Sequence, residues 1–373
     1  MKQTQTNFSL KDQLFNKDKV QHLAELIFWV YPEFDKTNFI EDTVFQFPEL
    51  ELKQRIHHIR DMLKKYLDDD FEASVNILIA SLSVLKDNGT LDNNFWDFIF
   101  APYCDYIRKY GCNKTDLKFS LSAQASFTWH ASAEDSIRYF LNDFEDETFD
   151  QMLAWSSSDN YFLRRLASEW TRPKLPWCQK INLDYNKPIA ILDNLYTDPS
   201  RFVTRSVANH LNDIAKIEPK LVTDTLKRWK KTWAPDLDYI ISHSTRTLVK
   251  LWDPATLELL WYSPDPKVKI QNFKINNTPL TIPNHLDFSF DIVCDSQQNL
   301  VIDYKIYFIS KNWKLLPKVF KIKKWTFNWN THIHKKHLLK LMTTKALYPW
   351  EHFVEIMING KNFWKEIFEL IVN

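Results

Sequence analysis

Glycine is nearly missing from this chain. Three occur in 373 residues, where average usage would give about 26. That scarcity excludes glycine as the usual residue for its turns. Cysteine is also sparse: Cys104, Cys112, Cys178 and Cys294 form no CxxC pair, and no nearby histidines complete a zinc spacing, so neither a disulfide framework nor a zinc site is expected. The opening MKQTQTNFSLKDQ lacks the apolar stretch of a secretory signal, and nowhere does an apolar run approach a membrane span. A cytoplasmic protein with free thiols follows, without metal or cofactor and without a membrane partner.

Tryptophan is over-supplied, with 15 copies. Several sit where backbone chemistry asks for glycine, such as Trp313 in Ser-Lys-Asn-Trp-Lys, a hairpin-turn composition, and Trp350 in Tyr-Pro-Trp-Glu, a loop after proline. A large side chain there would be strained. The expectation is that the gene uses a code in which UGA means glycine and is written here as tryptophan.

Apolar residues make up 45% and charged residues 25% of the chain, ordinary for a globular protein. The formal charge of +1 hides an asymmetry: from Asp265 onward there are sixteen lysines against nine aspartates and glutamates. That basic part would be felt by a nucleic acid, although a solvated lysine-rich surface has the same composition.

Three related stretches recur down the middle. Arg164-Arg165-Leu166-Ala167-Ser168-Glu169, Arg205-Ser206-Val207-Ala208-Asn209-His210 and His243-Ser244-Thr245-Arg246 are spaced by about 40 and about 38 residues, the period of a two-helix solenoid unit. Val203, Val207, Leu211 and Ile214 make one helical apolar stripe, opened by Asp198-Pro199-Ser200 as cap and first turn. Leu52 to Leu67 and Phe71 to Leu85 also read as helices. After Pro264 the period switches to two: Leu286, Phe288, Phe290 and Ile292, then Leu300 to Phe308, then Val354, Ile356 and Ile358 alternate with other residues, punctuated by turns such as Asn359-Gly360. The fold expected is mainly α: a HEAT-like α-α superhelix over 1–263, with a basic and polar ridge on its concave wall, followed by an all-β immunoglobulin-like sandwich over 264–373.

On the repeated helices, Arg205, Asn209 and Asp213 fall on one face away from Val203, Val207 and Leu211, and Arg165, Glu169 and Arg172 are placed similarly one repeat earlier. Two carboxylates are thus framed by cations. An Arg and a Glu four apart on a helix are also the usual exposed pair, worth a few tenths of a kcal/mol. Glu134, in Ser132-Ala133-Glu134-Asp135, would by itself be an acidic residue favoured at a helix N-terminus. His332, His334 and His337 cluster near lysines, but with no acidic or cysteine residue close in sequence a metal is not expected there.

These stretches, together with Thr171-Arg172-Pro173-Lys174-Leu175-Pro176-Trp177 and the run from Arg205 to Lys216, resemble the AlkC-type DNA alkylation repair glycosylases, a HEAT-like branch that also contains AlkD. The resemblance covers most of the first 262 residues, and some members end in an immunoglobulin-like module. It implies a monofunctional glycosylase, acting on alkylated double-stranded DNA, that removes cationic bases such as 3-methyladenine and 3-methylcytosine; a monomer is expected, although the sequence does not constrain the oligomeric state.

The family's acidic positions fall on Glu134, Glu169 and Asp213, and its aromatic on Trp177. Arg164, Arg165, Arg172, Arg205, Asn209, His210, His243, Arg246 and Lys250 are the candidate DNA-binding residues, and Lys321, Lys323, Lys324, Lys335 and Lys336 are further candidates in the sandwich. Two departures stand out. Where the family continues Phe-Ala-Ile-Arg-Pro-Phe after the first acid, this chain has Asp135-Ser136-Ile137-Arg138-Tyr139-Phe140. Trp170, Trp252 and Trp261 stand where members have glycine, and Trp364 joins the candidates for recoding; a real Trp170 beside Glu169 would threaten to obstruct the lesion site. The alternative to an enzyme is a non-catalytic HEAT-like scaffold that binds DNA or protein.

Overall fold

The computed structural model describes residues 9–85, 98–131, 133–309, 313–327, 329–339 and 348–371. The chain divides into two compact units, Met1–Ser244 and Thr245–Asn373. The helices Arg246–Lys250 and Pro254–Leu259 cluster with the strands that begin at Val268.

The first unit is helical. Helices Leu52–Tyr66 and Phe71–Ser83 lie close to their expected bounds. In the middle, helices run in pairs: Glu145–Trp155 with Tyr161–Trp170, Ile189–Leu195 with Arg201–Ile214, and Pro219–Trp229 with Leu237–Ser244. The second member of each pair packs on the second member of the next, as a solenoid requires. Val203, Val207, Leu211 and Ile214 are fully buried, so the apolar stripe is what docks the Arg201–Ile214 helix. Its start differs from expectation. The helix begins at Arg201 with Ser200 in the cap position and no side-chain cap bond. Pro199 lies ahead of it, and Asp198 instead accepts the Ser200 N–H at 2.8 Å.

In the second unit, eight strands form two sheets: β1 (Val268–Ile275), β2 (Leu280–Thr281), β3 (Asn284–Cys294), β4 (Gln298–Ile309), β5 (Leu315–Phe327), β6 (Asn330–Leu339), β7 (Trp350–Ile358) and β8 (Lys361–Ile371). One sheet has the order β1-β3-β6 and the other β2-β8-β7-β4-β5. Leu286, Phe288, Phe290 and Ile292 of β3 share a single core with Leu300, Ile302, Tyr304 and Ile306 of β4 and with Val354, Ile356 and Ile358 of β7, so the two-residue period buries one face of each sheet. The Asn359-Gly360 turn joins β7 to β8 with both residues at positive φ, 46° and 83°, the conformation for which that dipeptide is favoured. The histidines of β6 do have acidic neighbours, supplied across the strand pair: His332 meets Asp291 at 2.6 Å and His334 meets Asp287 at 2.7 Å. A sequence-local search cannot see them. No group of three or more metal-binding side chains occurs among the described residues.

The tryptophans separate into two sets. Trp252, Trp261, Trp313 and Trp350 all adopt positive φ, between 58° and 150°, and Trp177 and Trp329 join them at 69° and 63°. Left-handed backbone costs a side-chain-bearing residue roughly 1–2 kcal/mol, and bulky residues there are outliers. Trp261, Trp313 and Trp329 are largely solvent-exposed, so little packing offsets that cost. Trp170 and Trp364 show no such conformation. Trp170 is fully buried at the end of its helix, edge-on to Trp155 at 5.6 Å, so its ring lies in the core and does not obstruct Glu169. If positions 252, 261, 313 and 350 are glycine in the natural product, its peptides will carry glycine masses there. In protein made with tryptophan, Trp261→Gly and Trp313→Gly should each raise unfolding stability by about 1 kcal/mol; tryptophan masses, or a loss of stability in both variants, would overturn the recoding.

Candidate active site

The end of the Tyr161–Trp170 helix sets the geometry. The Thr171 hydroxyl donates back to the Ala167 carbonyl at 2.8 Å, and the Arg172 N–H reaches the Glu169 carbonyl at 3.3 Å. This tight turn folds the Arg172 side chain over Glu169 and towards the next repeat. Its Nη1 donates to Glu169 Oε1, while Nε and Nη2 donate to Asp213 Oδ2 at 2.9 and 2.6 Å. One guanidinium therefore holds two carboxylates that lie 44 residues apart in sequence.

The remaining oxygens are also engaged. Ser206 Oγ donates to Glu169 Oε2 at 2.6 Å and Lys216 Nζ to Asp213 Oδ1 at 2.9 Å. Arg165 lies 3.4 Å from Glu134 and 3.9 Å from Glu169, with its guanidinium over the Phe202 ring at 4.8 Å. The side chains of Arg172, Glu169 and Asp213 are 15%, 7% and 9% exposed. Removing one member of such a buried set leaves uncompensated charge and costs about 3–5 kcal/mol.

The two glutamates ionise differently. Burial pushes the Glu134 carboxyl above its ordinary value, and the charge of Glu169 adds to the rise while Arg165 opposes it. Burial would raise Glu169 as well, but Arg165, Arg172 and the Ser206 hydroxyl hold it below its ordinary value. As pH falls, Glu134 takes a proton first and Glu169 stays charged. An ionised carboxylate in a partly dry site is suited to stabilising a developing cation and to orienting or deprotonating a water.

The other predicted residues distribute unevenly. Trp177 is 84% exposed at a left-handed backbone position, the kind of strain that collects at functional sites. Arg205 is exposed and unpaired among the described residues. Asn209 Oδ1 meets His243 Nε2 at 2.8 Å, which joins two repeats. Arg246 and Lys250 are exposed on a short helix of the second unit. Arg164 is drawn into structure: it binds Asp198 at 2.6 Å and the carbonyls of Ser158 and Asp159, so its donors brace the inter-helix loops.

His210 is also withdrawn, being completely buried. Since a carbonyl only accepts, its Nδ1–H donates to the Ser168 carbonyl at 2.9 Å. Its Nε2 finds no partner among the described residues and lines a cavity of about 80 Å³ with Pro173, Ile181 and Leu183. Burial and the nearby Arg172 push this ring down to about 4, so it is neutral, and its one N–H is already committed to a carbonyl inside the fold.

Ser206 and Lys216 are not singled out by the sequence reading. Ser206, His210 and Asp213 recur at i, i+4 and i+7, a polar strip beside the apolar one on the same helix, and that period is the signal available.

Three comparisons with known proteins bear on this site. Residues 100–238 match the family model of the DNA alkylation repair enzymes, and residues 269–372 match that of the YhaZ C-terminal Ig-like domain. The YhaZ protein of Bacillus subtilis is 31% identical over 358 residues, 94% of this chain and 96% of its own length. The solved structure of the Pseudomonas fluorescens alkylpurine DNA glycosylase AlkC, bound to DNA containing an abasic site analogue, is 31% identical, covers 98% of this chain and 100% of its own, and superposes with a TM-score of 0.81. With a helical repeat unit, an Ig-like unit and this extent of identity, the chain belongs to the AlkC-type family of DNA alkylation repair proteins.

Proposed function

We propose that the chain is a monofunctional DNA glycosylase. It hydrolyses the N-glycosidic bond of cationic alkylated bases, such as 3-methyladenine and 3-methylcytosine, in duplex DNA. The observation that carries this reading is the single guanidinium that gathers Glu169 and Asp213 from successive repeats. A protein that only gripped phosphates would gain nothing from carboxylates placed there. The AlkC relative was captured on an abasic-site analogue, which mimics DNA after base removal.

A methylated base already carries positive charge, so it departs with the bonding electron pair and needs neither a Lewis acid nor a lysine nucleophile. Positive charge develops on the sugar, where Glu169 and Asp213 stabilise it. Water adds to that carbon and gives its proton to a carboxylate, with Glu134 as the third acid available. Trp177 offers an aromatic face to the cationic base, and Arg205, Arg246 and Lys250 hold phosphates without reading sequence. We place the glycosylase domain at 1–263 and a DNA-contacting sandwich at 264–373, in a cytoplasmic monomer.

Release of 3-methyladenine from alkylated duplex by the purified protein is the direct test. Glu169→Gln or Asp213→Asn should slow it about 10²–10³-fold with duplex affinity retained; undiminished release in both variants would overturn the assigned mechanism, and duplex binding without release by the unmodified protein would leave a DNA-binding scaffold. The rate should fall on the acid side as Glu134 is protonated, above the pH expected for an ordinary glutamate, and Glu134→Gln should remove that limb; an unmoved profile would exclude Glu134. Replacing Lys321, Lys323 and Lys324 together by Gln should flatten the salt dependence of binding by about one unit of slope for each phosphate they had neutralised, and an unchanged slope would reduce the sandwich to a structural role.

A further inference from the structure

The segment from Thr171 to Gln179 carries both Arg172 and Trp177, and a residue with no role in the chemistry above holds it from behind. Arg138, on the Ser136–Asp143 helix, is completely buried. Its Nη1 donates to the carbonyls of Trp170 at 3.2 Å and Arg172 at 2.8 Å, its Nη2 to that of Pro173 at 3.4 Å, and its Nε to that of Gln179. A buried guanidinium is thus spent on main-chain carbonyls of one segment. Trp170 closes its helix, where carbonyls are orphaned and a cation is favoured, and Arg172 and Pro173 follow just beyond the cap.

The planar fork of donors fixes directions as well as distance. For carbonyls from 170 to 179 to meet one guanidinium, the segment must wrap around it. Two more side chains act on the same stretch. Asp135 Oδ1 accepts the Gln179 N–H at 2.7 Å, its Oδ2 meets Lys53 Nζ at 3.3 Å, and Lys53 Nζ also donates to the Trp177 carbonyl. Asp135 is one of the departures from the family pattern, and this is what it does here.

We propose that Arg138 is a positioning residue, with Asp135 and Lys53 as an outer latch: together they hold segment 171–179 so that Arg172 keeps the carboxylates gathered and Trp177 meets the lesion. This rests on the glycosylase reading. Arg138→Lys keeps the charge but replaces the fork by a point donor, so it should disturb orientation without emptying the site.

The test is a double-mutant cycle on single-turnover release of 3-methyladenine, using Arg138→Lys, Trp177→Ala and the two combined. Arg138→Lys should lower the rate about 100-fold, the cost of a 1 Å misplacement, with duplex affinity held within about threefold. The combined variant should be about as slow as the slower single one, because residues acting through one another do not add. Independent, multiplicative losses would overturn the proposal, since general weakening of the fold predicts them. If Arg138→Lys does not fold, Lys53→Ala and Asp135→Ala, which alter partly exposed side chains, take its place in the cycle. If the unmodified protein releases no base, the glycosylase reading falls by itself. The positioning role is then read from amide exchange, which should quicken across 171–179 in Arg138→Lys and Asp135→Ala and stay unchanged in the Arg201–Ile214 helix; unchanged exchange in that segment would refute it.

Discussion

Everything in the candidate site depends on the guanidinium of Arg172 lying between two carboxylates. Glu169 comes from one helical repeat and Asp213 from the next, and each alone would be a carboxylate in a largely buried setting. Burying such a group unpaired is prohibitive, whereas a pair with complete hydrogen bonding is tolerable. Arg172 makes the arrangement tolerable twice over, and Ser206 and Lys216 satisfy the outer oxygens. The consequence is a local field organised before any substrate arrives, which is where most electrostatic catalysis gains its advantage.

That arrangement is possible because the solenoid stacks equivalent helices with their apolar stripes inward. The turn after Trp170 then decides where Arg172 goes. A longer connection would carry the guanidinium away from Glu169, and a continued helix would place it a full turn further along. The Thr171 hydroxyl bond to Ala167 and the return of the Arg172 N–H to Glu169 keep the turn short. Charge, chain direction and packing therefore meet within four residues.

Much of this is legible in the amino-acid order alone. The spacing of the repeated stretches locates the helices that carry both acids, and the switch to a two-residue period locates the strands β3, β4 and β7. What escapes has a common cause: a linear reading assigns a polar side chain to the surface unless it sees the partner. Arg164 looks like a phosphate ligand because Asp198, 34 residues away, cannot be seen to hold it. His210 looks exposed for the same reason, although its spacing from Ser206 and Asp213 fits a second, buried polar strip. The cross-strand acids beside His332 and His334 depend on the register of β3 with β6, which no local window contains. Trp329 escapes as a glycine-like position because nothing in its neighbours distinguishes it from an ordinary surface aromatic.

The Arg201–Ile214 helix presents two polar strips with opposite obligations. Ser206, His210 and Asp213 face inward and answer to partners already in place, and half-buried Asn209 answers to His243, while Arg205 looks outward. Descendants of this protein are therefore free to exchange Arg205, retuning grip and salt tolerance by small steps. On the inner strip a change at one site demands a matching change at another, so that side of the helix should evolve slowly and in pairs.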